Sequence, residues 1–423
     1  MARFLFATWE GGGHVQPLML VARGLADRGH QVLVMSDACN AAEAAVLGLP
    51  FRAWRRAPSR ADKSPDTDPL RDWEHKSPLD VITGLCDALM TRPALAYAQD
   101  VLEALESFAA DAVVTQELLL GVMAAAEARR LPLALLTANI WPFPTLPGAP
   151  PFGAGLPPAA TDEDRAFFEQ IAAATRGAYQ AGLPDLNAAR KALGLAPLAD
   201  VFDQVGAARA ILMATSRAFD AVQTPPAPFV HVGPYMADPV WAQPWTPPWA
   251  AGDTRPLVLV TFSSMYQGQD PTLKNVIAAL GTLPVRGLVT LGPVLDPADF
   301  PAPANVAVVK SAPHSAVLDE CAVVVTHCGH ASTLRPLIAG VPLLALPMGR
   351  DQDDNAARAV AAGAALRLPR DAASDDIAHA LRRLIDEPAF RAAARAVGAA
   401  VAADVAARDA EDRLEALVAL QPA

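Results

Sequence analysis

MARFLFATWEGGGHVQPLMLVARGLADRGHQVLVM, residues 1–35, carries the fold in its spacing. Residues 3–8 form a short apolar run, and residues 9–13 a glycine-rich loop. Over 15–28 the positions Leu18, Val21, Ala22 and Leu25 recur at helical intervals, and Gly29 stands where a helix C-cap belongs. Residues 31–35 return to a β-branched and aliphatic run. Strand, loop, helix and strand in that order open a parallel, doubly wound sheet. Apolar runs at 112–114 and 131–137 continue the series.

Between residues 224 and 256 the texture changes. Prolines crowd the segment, with Trp241, Trp245 and Trp249 among them, and such density excludes a helix or a central strand. The segment predicts a linker between domains, stiffened by its prolines. Beyond it a second series of short apolar runs begins, at 257–262, 285–291, 306–309, 322–326, 343–346 and 365–368. From residue 377 the chain is rich in Ala, Arg and Glu and reads as helix. The expectation is an α/β protein of two Rossmann-like doubly wound parallel-sheet domains that face a cleft. Ligands bind at the carboxyl ends of the strands in such sheets.

Composition excludes several classes. With 423 residues, 52% of them hydrophobic, the chain has core enough for two or three domains, and disorder is ruled out. Against 45 acidic residues stand 34 basic ones, a net charge of −11 with no basic block, so neither nucleic acid nor an anionic membrane is an expected partner. No run approaches the ~20 apolar residues of a membrane span, and the first residues are too polar for a secretory leader. Cys39, Cys86, Cys321 and Cys328 form no C-x-x-C pair, which argues against a disulfide scaffold and for a cytoplasmic location.

Gly11, Gly12 and Gly13 let the backbone turn tightly and approach a ligand. His14 follows at the start of the helix, either as an exposed turn residue or as a general base. A dinucleotide fingerprint aligned on Gly11 and Gly13 places Gln16 where a small third residue is needed, although Asp37 lies at a tolerable distance for a ribose. That mismatch sets a dehydrogenase aside.

The second informative stretch is VVVTHCGHASTLRPLIAGVPLLALPMGRDQDDNAA, residues 323–357. A strand ends at Thr326, His327-Cys328-Gly329 forms a loop, and a helix starts with Ser332 and Thr333 in its first turn. Free N–H groups, the helix dipole and two hydroxyls suit a phosphate, to which His327 adds an N–H donor. Asp351 and Gln352 follow the next strand and offer a carboxylate and an amide to vicinal sugar hydroxyls.

The run from His327-Cys-Gly through Ser332-Thr333, Gly340-Val-Pro, Asp351-Gln352 and Asn355-Ala356 resembles the donor-site signature of family 1 glycosyltransferases, nucleotide-sugar-dependent enzymes of the GT-B fold. The opening Gly-Gly-His14 with Pro17 is similar to their acceptor-side loop, as is the proline-rich segment 139–158 to a loop of bacterial members. The resemblance implies an inverting transfer of a hexosyl unit from a UDP- or dTDP-sugar, as co-substrate, to a hydroxyl of a small apolar acceptor, without cofactor or metal. Residues 1–223 would bind the acceptor, 224–256 link, 257–403 bind the nucleotide sugar, and 404–423 form a helix packing back on the first domain. His14 would be the base. His327, Gly329, Ser332, Thr333 and Ser264 would surround the diphosphate, Ser311, Pro313 and His314 the nucleotide base, and Asp351 and Gln352 the sugar. Gly12, Gly13 and Trp141 would lie on the acceptor side.

The chain departs from the family's pattern in places. The aspartate that usually orients the histidine is Gln116, which can hold one imidazole tautomer but stabilises an imidazolium less than a carboxylate does. Glu117 is next, on the opposite face if the strand continues. The weaker base favours a phenolic acceptor. Where plant members carry a ribose-binding glutamate stands Arg335, either beside the diphosphate or facing solvent, and their base-stacking tryptophan is Ser311. His330 either lines the sugar pocket or is structural. His30 reads as a surface turn and Cys328 as packing. Trp54, Arg55, Arg56, Arg60 and Trp73 read as an acceptor-side loop, with 62–76 polar enough to be mobile. His75, His231 and His379 show no metal-ligand spacing. The rivals are transfer to a lipid-linked acceptor, a nucleotide-sugar epimerase, and a non-catalytic partner of another transferase; the oligomeric state stays open.

Overall fold

Arg3–Ala7 forms β1, and its Phe4, Leu5, Phe6 and Ala7 are all buried, as befits a parallel strand covered on both faces. Phe4 and Phe6 join Leu18 and Leu25 of the helix Val15–Asp27 in one layer, whereas Leu5 and Ala7 join Tyr97 and Met123 in the other. A computed structural model describes residues 1–75, 77–239, 242 and 244–419. Lys76, Trp241 and residues 420–423 lie outside the described residues.

The other strands of the first sheet are β2 (Gln31–Ser36), β3 (Phe51–Ala53), β4 (Ala112–Thr115), β5 (Leu133–Thr137), β6 (Ala210–Met213) and β7 (Phe229–His231). Their order is β3-β2-β1-β4-β5-β6-β7, with every pairing parallel. The second sheet holds β8 (Leu257–Thr261), β9 (Arg286–Thr290), β10 (Val306–Val309), β11 (Cys321–Thr326), β12 (Leu343–Ala345) and β13 (Ala365–Arg367). It runs β10-β9-β8-β11-β12-β13, again parallel throughout. The order reverses between β1 and β4 in the first sheet and between β8 and β11 in the second. Loops diverge at such points and leave a crevice.

Three expectations need correction. The proline-rich segment 224–256 is not linker throughout, because β7 lies within it at the sheet's edge, where Pro228 withholds no needed N–H. Trp245 and Trp249 meet edge to face at 5.9 Å and pack against the second sheet. Residues 62–75 of the expected mobile stretch 62–76 are anchored: Arg60 and Asp68 pair at 3.5 Å with both side chains almost fully buried. His30 is more than a turn residue, since its Nδ1 accepts from the Ala2 N–H at 3.1 Å and its Nε2 meets Glu415 at 2.9 Å. Glu415 belongs to the helix Ala410–Ala419, whose Leu414 and Leu417 pack in the layer of Phe4 and Leu18.

Candidate active site

A cavity of about 240 Å³ lies where the two crevices meet. From the first sheet it is bordered by Gly11, Gly12, Gly13 and His14, from the second by Ser264, His314, His327, Gly329, Ser332, Asp351 and Gln352. The halves approach closely here. Gly12 has φ +76°, which favours glycine, and a Cβ on it would sit 3.2 Å from Met265 Sδ of the opposite half, a tight contact that the methionine would have to relieve.

The His14 ring lies 5.4 Å from that of Trp9, and its Nδ1 is buried without a hydrogen-bond partner. Burial, helped by nearby Arg350 and His330, pulls its pKa down to about 4, so the imidazole is neutral. The expected orienting role of Gln116 is corrected. Its amide donates to the His14 backbone carbonyl at 2.6 Å and accepts from the Thr8 hydroxyl at 2.8 Å, holding the loop rather than the ring. Glu117 does not stand in for it. That carboxyl is buried beside Thr137, where burial pushes its pKa up to about 7.

Across the cavity, β11 delivers the loop His327-Cys328-Gly329. Cys328 has φ +64° and packs with Ala345 and Ala356, consistent with a packing role. A Cβ at Gly329 would fall 2.7 Å from His327 Nε2, so the imidazole lies flat against the loop. His327 stacks on Phe262 at 6.1 Å, and burial lowers its pKa to about 4. The helix His330–Ile338 starts at the cavity, with Ser332 accepting from Thr326 at 3.0 Å and donating to the Gly329 carbonyl at 2.9 Å. Thr333 is a correction: it is fully buried, its hydroxyl donates to the Gly329 carbonyl at 3.0 Å, and it does not border the cavity.

Asp351 is buried beside Asn355, whose amide donates to it at 2.8 Å, and burial raises its pKa. The Gln352 amide is already engaged, accepting from the Met348 N–H at 2.8 Å and donating to Gln267 at 3.0 Å. Of the three residues expected around the nucleotide base, His314 borders the cavity and meets Thr290 at 3.2 Å, whereas Ser311 and Pro313 do not border it. Arg335 neither faces solvent nor stands free for a phosphate: it pairs with Asp238, which also accepts from Ser315. His330 crosses the cleft to Thr215 at 2.8 Å.

A second cavity, of about 820 Å³, adjoins the first half and is lined by Trp73, Trp141, Phe143, Phe168 and Tyr179. Trp141 donates to Thr145 at 2.8 Å and meets Phe143 edge to face. Arg350 borders both cavities, and Asp72 borders the larger one. Neither residue was legible as a site residue, because they are 278 positions apart and carry no motif. Lys63, paired with Glu10 at 3.0 Å, also reaches the smaller cavity unannounced by any pattern. Among the described residues no group of three His, Cys, Asp or Glu side chains could hold a metal, and no helix is long and apolar enough to cross a membrane.

Two parallel sheets meeting at their carboxyl edges, with a histidine facing a helix start, define the GT-B glycosyltransferase class. Residues 276–417 match the C-terminal domain of proteins like erythromycin biosynthesis protein CIII. The chain is similar to 4′-demethylrebeccamycin synthase of Lentzea aerocolonigenes, 30% identical over 99% of this chain and 100% of that one. It is 27% identical to the oleandomycin glycosyltransferase of Streptomyces antibioticus over 96% of this chain and 88% of that one. The fold matches the glycotransferase of kitacinnamycin with TM-score 0.76 and 19% identity, covering 98% of each chain. It also matches the Streptomyces sp. SF2575 glycosyltransferase SsfS6 complexed with thymidine diphosphate, with TM-score 0.64 and 20% identity over 97% of this chain and 100% of that one. The chain belongs to the family 1 glycosyltransferases of the bacterial natural-product type, and it is an enzyme that uses a nucleotide sugar.

Proposed function

We propose that the enzyme transfers a hexosyl unit, with inversion and without a metal ion, from a dTDP- or UDP-sugar to a phenolic hydroxyl of an apolar acceptor. The observation that carries this reading is His14: a neutral imidazole that borders the smaller cavity together with the start of the His330 helix. The acceptor occupies the aromatic cavity. His14 takes its hydroxyl proton as the oxygen attacks the anomeric carbon, and the bond from that carbon to the diphosphate oxygen breaks on the opposite face. The departing negative charge meets the free N–H groups of the His330 helix, the Ser332 hydroxyl and the His327 ring. Asp351 is placed to hold the sugar hydroxyls.

The acceptor's acidity follows from the electrostatics around the base. Burial, with Arg350 close by, disfavours an imidazolium at His14, and no carboxylate compensates. A phenol of pKa ~10 yields its proton to such a base far more readily than an aliphatic alcohol. The thymidine diphosphate in the related SsfS6 structure supports a dTDP-sugar donor. Four free cysteines suit action in the cytoplasm. The test is a panel of UDP- and dTDP-sugars with matched phenolic and aliphatic acceptors, in chelator, with products read by mass spectrometry and anomeric configuration by NMR. His14→Ala is expected to lose roughly 10²–10⁴-fold in rate. Retention of configuration, restoration of lost turnover by Mg²⁺, or preference for the aliphatic acceptor refutes the corresponding part.

A further inference from the structure

Asp72 and Arg350 come from opposite halves of the molecule and meet in the wall of the aromatic cavity. Arg350 has φ +59°, a left-handed conformation that a non-glycine residue adopts at a cost. Its Nε donates to Asp72 Oδ2 at 2.5 Å and its Nη1 to the Gly11 carbonyl at 3.3 Å. Arg350 Nη2 and Asp72 Oδ1 remain, both buried and both without a partner. The surrounding charges are committed elsewhere. Asp68 pairs with Arg60, Asp351 is held by Asn355, and burial keeps His14 and His327 neutral. One ion pair thus ends in an unsatisfied donor and an unsatisfied acceptor, in the wall of a cavity that carries Trp141, Phe143 and Phe168 together with polar residues such as Arg165, Glu169 and Arg370.

We propose that the Asp72–Arg350 pair sets acceptor specificity by reading an edge with a hydrogen-bond donor beside an acceptor, as in the NH–C=O of a lactam or imide. Arg350 Nη2 donates to the carbonyl oxygen, and Asp72 Oδ1 accepts from the adjacent N–H. This edge is the polar handle that turns an apolar acceptor so that its reacting hydroxyl meets His14. Binding sites built to pair such groups reject analogues that lack them, because their own buried groups then stay unpaired. The inference rests on the acceptor reading proposed above.

The experiment uses two matched pairs of acceptors: a hydroxyquinolin-2-one with its N-methyl derivative, and a hydroxynaphthalimide with its N-methyl derivative. Binding to the thymidine-diphosphate-loaded enzyme is followed by quenching of tryptophan fluorescence, which Trp73 and Trp141 in the wall report, and transfer by mass spectrometry. In the wild type, methylation is expected to raise Kd and KM ten- to hundredfold while kcat stays within threefold. The pair of compounds that shows this discrimination names the group read. Asp72→Asn and Arg350→Lys are expected to cut the discrimination below threefold, with nucleotide affinity within twofold of wild type. Equal wild-type binding of methylated and free acceptors overturns the proposal, and that measurement needs no variant to fold. So does an Asp72→Asn enzyme that weakens all four acceptors equally, or one that loses nucleotide affinity instead. Edge-selective binding without any transfer supports the pair's role and refutes the acceptor reading alone.

Discussion

Replacing Gln116 by aspartate separates two accounts of the base. If residue 116 addressed the imidazole, Gln116→Asp would supply the carboxylate that the family resemblance implies and raise activity on aliphatic alcohols. The structure points the amide elsewhere, at the His14 carbonyl at 2.6 Å, with the Thr8 hydroxyl at 2.8 Å behind it, the Gln116 and Thr8 side chains both buried. Aspartate is one methylene shorter and has no N–H to offer, so the carbonyl loses its donor and a buried carboxylate gains no cation. Losing the hydrogen bond and leaving a buried polar group unsatisfied costs roughly 1–3 kcal/mol, and an unpaired buried carboxylate adds to this unless it protonates. Its pKa in the folded state therefore rises above the unfolded ~3.9. Stability is then retained below that value and lost as pH rises through the raised one. Urea unfolding at pH 5 and pH 8 is expected to show a destabilised variant, more so at pH 8, and kcat/KM is expected to fall at least tenfold on both acceptor classes. A variant as stable as wild type and faster on aliphatic alcohols would refute this account of the loop.

Other expectations follow from the same geometry. His14, His314, His327 and His330 each have a pKa lowered from 6.5 to about 4 by burial. Between those values the unfolded chain binds more protons, so stability should fall as pH falls from 6.5 to 4, by up to ~1.4 kcal/mol per unit for each histidine; denaturant midpoints across that range check it. A Cβ on Gly398 would overlap the Leu337 carbonyl of the His330 helix, so Gly398→Ala should cost about 3 kcal/mol and weaken nucleotide binding, read by unfolding and calorimetry. Asp354 accepts from the Gly153 and Gly155 N–H groups at 2.7 and 2.8 Å, closing the proline-rich loop over the aromatic cavity. Asp354→Ala should raise the acceptor KM about tenfold, since hydrogen bonds to a charged group are worth roughly 1.5–3 kcal/mol, while nucleotide affinity stays unchanged.

Periodicity made β1, its helix and β2 legible to within a residue or so, because a buried parallel strand and an amphipathic helix leave opposite signatures. β7 escaped because three residues among prolines carry no such signature. The loop His327-Cys328-Gly329 was legible as a local motif, in which His327, Gly329 and Ser332 are set by one strand-to-helix turn. Thr333 lay in the same motif but points into the helix start, a distinction of side-chain direction that residue spacing does not encode. Gln116 was located correctly at the end of β4, and its role was misread, since the choice between ring and carbonyl depends on where a seven-residue loop folds back. Contacts between halves, such as Asp72 with Arg350, arise from docking two independently wound sheets and leave no trace in either segment.

The helix Ala410–Ala419 returns the chain's end to the half in which it began. Asp404, near the end of the preceding helix, accepts from Ser216 at 2.5 Å and from the Ala218 N–H at 3.0 Å, and Gly233 rests against its carbonyl. Arg408 lies over the Tyr235 ring at 4.9 Å, and Tyr235 donates to Glu411 at 2.5 Å. The outgoing and returning segments therefore run alongside one another. Two adjacent crossings tie the halves together at two points along one side, which resists twisting and sliding more than a single tether does. A single cut in the outgoing segment would therefore leave the halves still attached through the returning one.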